Sequence, residues 1–485
     1  MMKTRRAFLR DLMVAAVTTP ALSRSYARSA VERKRKPNMV VFLSDDHGCL
    51  DSPVYGGAVV RTPTMQKLAA HGMVFDRAFV ASPACGPSRA ALLSGLMPAR
   101  NGAEPNHTLP RPETQTMVKL LQEQGYEVVA FGKVAHGRQH PQMVGFDHWQ
   151  DARREQIAKL VKRFLARRTS DKPLCLMVGD HRPHVRWIAE SSYDPDEVVL
   201  PEHFIDTKQT REHWARYLTD VTGMDATMAE VDRLAREHFA TDDYLFLYTA
   251  DHGAQWPFGK WNLYDAGVRT PMIVRWPGKI APGIRTEAMV SWIDVMPTLL
   301  ELAGGTVPEH IDGRSFADVL LGRSKEHRDV IYTTHSGDGI MNVYPIRAVR
   351  TGQFKYIRNL RPDCYHSNHS DILRKDGAGA YWDSWDEAAQ HDPKAAAVVA
   401  KYYRRPPVEF YDLTKDPTEQ HNLGNDRQYA EQIKKMSTML DEWMRAQGDT
   451  QQVFREPYPT SGPRPRVMWQ QRNRNQEVPG NTNRR

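Results

Sequence analysis

Cysteine is scarce in this chain, with four in 485 residues (Cys49, Cys85, Cys175 and Cys364) and no Cys-x-x-Cys pair. Neither a disulfide framework nor a structural zinc site is supported. No apolar run reaches the ~18–20 residues that a membrane-crossing helix needs, which excludes an integral membrane span. No internal repeat is visible. Charged residues are 26% and hydrophobic residues 40%, a soluble globular composition that is neither disordered nor collagenous. The length suits one large α/β domain with a smaller appendage, or two to three ordinary domains.

Positive charge is in excess, at a formal +8, which first suggests a partner such as nucleic acid or another polyanion. Its distribution argues otherwise. Residues 1–27 hold Lys3, Arg5, Arg6, Arg10 and Arg24 against Asp11, and residues 451–485 hold seven arginines against Glu456 and Glu477. What remains for 28–450 is close to neutral, so no nucleic-acid partner is expected. Arg5-Arg6 ahead of Phe8-Leu9, the mildly apolar stretch 12–22 and the small-residue exit Ser25-Tyr26-Ala27 read as a signal peptide, 1–27. The paired arginines resemble a bacterial twin-arginine export signal, which implies a periplasmic or secreted protein. Residues 28–36 are a basic linker.

From Pro37 strand and helix signals alternate. Met39–Leu43 is a short continuous apolar run, as a strand buried on both faces requires, Pro173–Val178 is another buried-strand run, and Tyr126–Phe131 and Tyr244–Thr249 also read as strands. Helical spacing recurs at 64–71, 117–124, 157–168 and 214–238. The predicted fold is α/β, a large mixed and mostly parallel sheet flanked by helices, over residues 37–324. From 325 to 450 shorter strands (330–334, 346–349, 354–358) and an amphipathic helix at 432–447 predict a smaller antiparallel α+β subdomain. Residues 451–485 lack apolar periodicity and read as a disordered Arg-rich tail.

The chemistry concentrates in a few places. Ligands of parallel sheets bind beyond the carboxyl ends of the strands, and two runs end in acidic pairs there, Asp45-Asp46 and Asp251-His252. Cys85-Gly86-Pro87-Ser88-Arg89 opens a helix, where positive potential favours an anion. From these residues alone Cys85 is either a buried cysteine at a helix start or a low-pKa thiol nucleophile.

The stretch Cys85–Gly95 also resembles the signature of the sulfatase family, Cys-x-Pro-Ser-Arg followed by a small-residue helix ending in Thr/Ser-Gly. The resemblance, over about residues 37–450, implies an alkaline-phosphatase-like fold and a sulfuric ester or sulfamate hydrolase. In that family the cysteine is oxidised after translation to formylglycine, whose hydrate is the nucleophile, so a maturation enzyme is an implied partner. Asp45, Asp46, Asp251 and His252 resemble the family's ligands to a divalent cation, Ca²⁺ or, as the alternative, Mg²⁺. Lys133 and His136, in Gly-Lys-Val-Ala-His, resemble its contacts to nucleophile and sulfate, although many relatives have Lys-x-His. Asp180-His181-Arg182-Pro183-His184 resembles a His-x-Pro-His segment, with His181 the preferred proton donor and His184 its rival, otherwise facing substrate. Lys260 matches a basic contact to the sulfate, and Arg89 a further one. Within the family, Phe258–Tyr264 and the C-terminal unit, with His335 and Arg347 towards the substrate, resemble sulfamidases that act on N-sulfated glucosamine. Gly-Lys-Val-x-His instead resembles iduronate sulfatases. An O-sulfatase on a sulfated polysaccharide, a phosphate or phosphonate monoester hydrolase of the same superfamily, and an anion-binding protein on a decayed sulfatase fold are the alternatives.

Overall fold

The computed structural model describes residues 36–476 with the exception of Asp242, so the expected signal peptide 1–27, nearly all of the 28–36 linker and the last nine residues lie outside the described part. Fourteen strands run in chain order as β1 (Asn38–Ser44), β2 (Met73–Phe75), β3 (Ala78–Phe79), β4 (Glu127–Gly132), β5 (His148–Gln150), β6 (Leu174–Gly179), β7 (Tyr244–Ala250), β8 (Met272–Arg275), β9 (Ile284–Thr286), β10 (Val290–Ser291), β11 (Ile331–His335), β12 (Ile346–Arg350), β13 (Phe354–Asn359) and β14 (Val408–Asp412).

Eight of them form one mixed sheet in the order β5-β4-β6-β1-β7-β8-β2-β9. The five strands from β5 to β7 are mutually parallel, while β8 runs antiparallel to both β7 and β2. Continuous apolar runs land in the middle of it because alternate side chains meet two different layers. In β1, Met39, Val41 and Leu43 join one core, and Val40 and Phe42 join the other. The same division holds in β7, with Leu245 and Leu247 on one face and Phe246 and Tyr248 on the other. The helix Lys208–Phe239 covers the second face through Met224, Met228, Val231 and Leu234. The helix Cys85–Ser94, all of it buried, sends Leu92 and Leu93 into the first.

The strands β11-β12-β13-β14 form a separate antiparallel sheet. The helix Ala430–Gln447 packs Met436, Leu440 and Met444 on its Val349, Tyr356 and Phe410. A buried ionic cluster ties this sheet to the segment that carries Lys260. Lys355 pairs with Asp265 and, at 2.7 Å, with Glu419, while the Tyr264 hydroxyl donates to Glu409 Oε2 at 2.6 Å. The larger α/β sheet and the smaller antiparallel sheet are the architecture the sequence predicts.

One expectation needs correcting. Residues 451–476 are not a structureless tail: Tyr458 is buried, its hydroxyl donates to the Ile340 carbonyl at 2.7 Å, and Pro465–Gln476 is a helix. Arg472 lies over the Tyr458 ring and Met468 is buried, so this segment is ordered by distant partners and not by its own periodicity. Among the described residues no helix is long and apolar enough to cross a membrane.

Candidate active site

The two acidic pairs meet because their strands are neighbours in register. Ser44 of β1 lies opposite Ala250 of β7, so Asp45-Asp46 and Asp251-His252 emerge side by side at the carboxyl edge. The Asp251 amide donates to the Ser44 carbonyl at 3.1 Å, and the Asp46 amide to Asp251 Oδ1 at 3.0 Å. Asp46 is left-handed, with φ of 63°, a conformation that Asp and Asn tolerate better than most residues. It turns its carboxylate into the site.

Cys85 is delivered from the opposite side as the first residue of its helix. The Gly86 amide is satisfied by Asn106 Oδ1 at 2.8 Å, and Ser88 anchors the first turn by donating to the Asp251 carbonyl at 2.6 Å. This leaves Sγ 3.3 Å from Asp45 Oδ1 and 3.2 Å from His252 Nε2. Burial, and then the negative charge of Asp45, push the thiol well above its ordinary pKa. Burial, and after it Asp45, thus outweigh the helix end and favour the neutral thiol while no cation is bound.

Four donor atoms, from Asp45, Asp46, Cys85 and His252, lie within 4.8 Å of one another, and all four residues are buried. His252 Nδ1–H donates to the Gly253 carbonyl at 2.9 Å, which leaves its Nε2 lone pair facing the carboxylates. Carboxylate oxygens with one imidazole nitrogen fit a divalent cation. Asp251 adjoins the four: its Oδ1 is 3.6 Å from His252 Nε2 and accepts from the Asp46 amide, and its Oδ2 accepts from Arg89 Nε at 2.9 Å.

Three cations surround the carboxylates. Lys133 pairs with Asp45, and Lys260 Nζ lies 2.9 and 3.0 Å from the two oxygens of Asp46. Arg89 is fully buried; its Nη2 is 3.6 Å from Asp45 and has no hydrogen-bond partner. Burial alone would raise both carboxyls, but Lys133, His184 and Arg89 hold Asp45 well below the usual carboxylate range, and Lys260 and His184 lower Asp46.

The two histidines after β6 reach the same edge. His184 Nε2 is 3.9 Å from Asp46 Oδ2, and His181 has a buried Nδ1 without a partner. Burial lowers their pKa values to about 4 and about 3, so both are neutral in the free protein. Both open, with Asp45 and Lys133, into a cleft of about 650 Å³.

His136 lines the same cleft. Its Nε2 lies 2.8 Å from His107 Nδ1, and His107 in turn faces Asp338 at 3.3 Å. His335 and Arg347 do not line the cleft. His335 Nε2 is bonded to Asn342 Oδ1 at 2.8 Å. Arg347 is fully buried, with Nη2 donating to Asp449 at 2.9 Å and Nη1 to the carbonyls of His335 and Ile346. Nε also donates to Asp449, so four of its five N–H groups are bonded within the fold and Nη2 faces Glu104 at 3.7 Å; Arg347 ties β12 to Asp449. Asp449→Ala is expected to lower stability by about 3–5 kcal/mol by stranding that buried charge, since Glu104, 3.7 Å away, cannot replace the paired bonds. Denaturant unfolding reads the loss, and the folded fraction should keep its turnover.

Sequence reasoning missed the supports. Arg182 is held by Asp180 at 2.8 Å and offers its carbonyl to the Asp45 amide at 3.2 Å. Asn106 bonds both Gly86 and Asp338. Only the Asp-His-Arg segment offered a local signal for any of these.

With this geometry in hand, comparison places the chain among known proteins. Residues 37–305 match the family model described as Sulfatase, and residues 252–369 one described as N-sulphoglucosamine sulphohydrolase, C-terminal. The chain is 30% identical over 431 residues to an ulvan-active sulfatase of Formosa agariphila, covering 85% of this chain and 81% of that protein. It is 26% identical over 469 residues to the N-sulphoglucosamine sulphohydrolase of Homo sapiens, covering 85% and 90%. Among solved structures, a phosphonate monoester hydrolase from Silicibacter pomeroyi superposes with a TM-score of 0.64 at 18% identity, covering 86% of this chain and 96% of that one, a likeness of fold alone.

Proposed function

The chain belongs to the sulfatase family, hydrolases of sulfate esters and sulfamates that act on sulfated glycans, and within it we propose that the substrate is N-sulfated glucosamine. The observation that carries this reading is the match of residues 252–369 to the N-sulphoglucosamine sulphohydrolase C-terminal model. We further propose Ca²⁺, with Mg²⁺ as the alternative, as the ion for Asp45, Asp46, Asp251 and His252. Cys85 is the precursor of formylglycine, which requires a maturation enzyme, and the N-terminal segment directs export to the periplasm or beyond.

When present, the cation supplies Lewis acidity at the sulfate oxygens, and the formylglycine supplies the attacking oxygen. The chain's own residues do the rest. Arg89, Lys133 and Lys260 approach the centre from three sides and stabilise negative charge on the transferring group, in a buried setting where such contacts are strongest. His181 or His184 gives a proton to the departing nitrogen or oxygen. Burial keeps both neutral before substrate arrives, and an anion beside them raises their proton affinity.

An O-sulfatase is the second reading, favoured by the ulvan-active relative. Sulfate release from N-sulfated, 2-O-sulfated and 6-O-sulfated glucosamine or uronate sugars separates the two. The sulfamidase assignment expects the N-sulfate to be preferred by at least about tenfold in kcat/KM, or about 1.4 kcal/mol of transition-state discrimination. Preference for an ester would replace it with the second reading.

A further inference from the structure

The cleft beside the catalytic cluster extends well past it. Besides Asp45, Lys133, His181 and His184 it is lined by five arginines, Arg138, Arg153, Arg154, Arg182 and Arg186. Two are committed to the fold: Arg154 pairs with Asp220 at 2.7 Å, and the buried Arg182 with Asp180 at 2.8 Å. Arg138, Arg153 and Arg186 are exposed, and none has a hydrogen-bonding or ion-pair partner among the described residues.

Topology explains their convergence. Arg138 follows β4, Arg153 follows β5 and Arg186 follows β6, and these strands are adjacent and parallel at one side of the sheet. Their carboxyl ends therefore project three guanidiniums to one rim, on the side of Asp45 away from β7. Arg89 and Lys260 by contrast turn inward to Asp251 and Asp46. On the rim the only carboxylate lining the cleft is Asp151, Asp45 being deeper and already paired with Lys133. The surplus of positive charge is thus not needed by the fold and is not part of the sulfur chemistry.

A concave wall of one charge sign raises the local concentration of the opposite ion. Guanidinium forks match carboxylates and sulfates in a bidentate way that a lysine does not. The volume, about 650 Å³, falls within the roughly 300–1,000 Å³ of ordinary small-ligand sites, enough for a disaccharide. We propose that Arg138, Arg153 and Arg186 form a second anion subsite, which holds a carboxylate or sulfate of the substrate other than the group being cleaved. The inference rests on the sulfatase reading and narrows it: the substrate is an oligosaccharide with at least two anionic groups, and a singly sulfated neutral sugar is a poor one.

Binding tests this without turnover. The purified protein is titrated calorimetrically at low salt with an unsulfated disaccharide carrying a uronate, with its neutral methyl ester, and with an analogue bearing an O-sulfate in place of the carboxylate. At least one charged ligand should bind about tenfold or more tightly than the ester, and which one identifies the anion. The advantage should shrink with added salt. It should vanish in a triple variant R138A/R153A/R186A and return in part in the triple lysine variant. Equal affinity for charged and neutral ligands, no measurable binding of any, or a preference that survives the triple alanine variant would each overturn the proposal. Absence of sulfate release from every sulfated sugar is a different result, which removes the sulfatase reading and leaves the binding ratios to decide whether an anion subsite exists.

Discussion

Cys85→Ala is expected to lower sulfate release by about 10³–10⁴-fold or more, the usual consequence of deleting a nucleophile while its surroundings stay in place. The side chain is fully buried among Asp45, Asp46 and His252, yet it forms no contact on which the fold depends. The helix start is held by Ser88 and Asn106, so the variant should fold normally. Arg89, Lys133 and Lys260 remain, so substrate binding should survive while kcat collapses. Cys85→Ser should fail nearly as badly, because a serine hydroxyl among two carboxylates and a histidine has no second hydroxyl with which to expel sulfate. Ion chromatography of released sulfate measures the loss, and mass spectrometry of the peptide 81–95 measures the proportion of Cys85 converted to aldehyde. Activity that persists when only unmodified thiol is found would remove the formylglycine from the mechanism.

The parts of this site legible in the sequence are those whose determinants are local. Met39–Leu43 and Tyr244–Tyr248 are runs of apolar and aromatic residues because both faces of β1 and β7 are covered, and Asp45-Asp46 and Asp251-His252 follow within two or three residues. The Cys85 segment likewise carries helix start, nucleophile position and Arg89 within five residues. Elements that owe their order to distant partners were illegible. Arg347 finds Asp449 at a separation of 102 residues, and nothing near either residue distinguishes a structural arginine from a substrate-binding one. The helix Trp382–Ala388 is short and rich in aromatic and acidic residues, and is stabilised by stacking among Trp382, Trp385, Tyr381 and Tyr402. Its apolar faces are set by those rings and not by a 3.6-residue repeat. The strands β3 and β10 are two residues long and pair with each other, below the length at which any period can be read. The 465–476 helix reads as tail in the sequence because polar residues dominate it and its anchor, Tyr458, lies outside it.

Asp46→Asn should separate the cation's contribution from that of the fold. Asn adopts the left-handed conformation with φ of 63° about as readily as Asp, and its Oδ1 can still accept from Lys260, so the backbone turn survives. The charge does not. One of the two carboxylates facing His252 Nε2 and Cys85 is lost, and with it most of the attraction for a hard divalent ion. At micromolar Ca²⁺ kcat/KM is expected to fall by about 10²–10³-fold, the scale on which a Lewis acid aligned with transition-state charge contributes. Millimolar Ca²⁺ should restore part of the loss, because the remaining donors, Asp45, Asp251 and His252, keep their positions. Lys260 provides the internal control. It is fully buried and neutralises Asp46 at 2.9 and 3.0 Å, so the variant leaves an uncompensated ammonium whose cost appears as a lower unfolding midpoint without added metal. A double variant, Asp46→Asn with Lys260→Met, should recover that stability but not the activity. If instead chelation leaves wild-type turnover unchanged and Asp46→Asn costs only stability, the carboxylates serve to hold Lys133 and Lys260, and the cation has no place in the reaction.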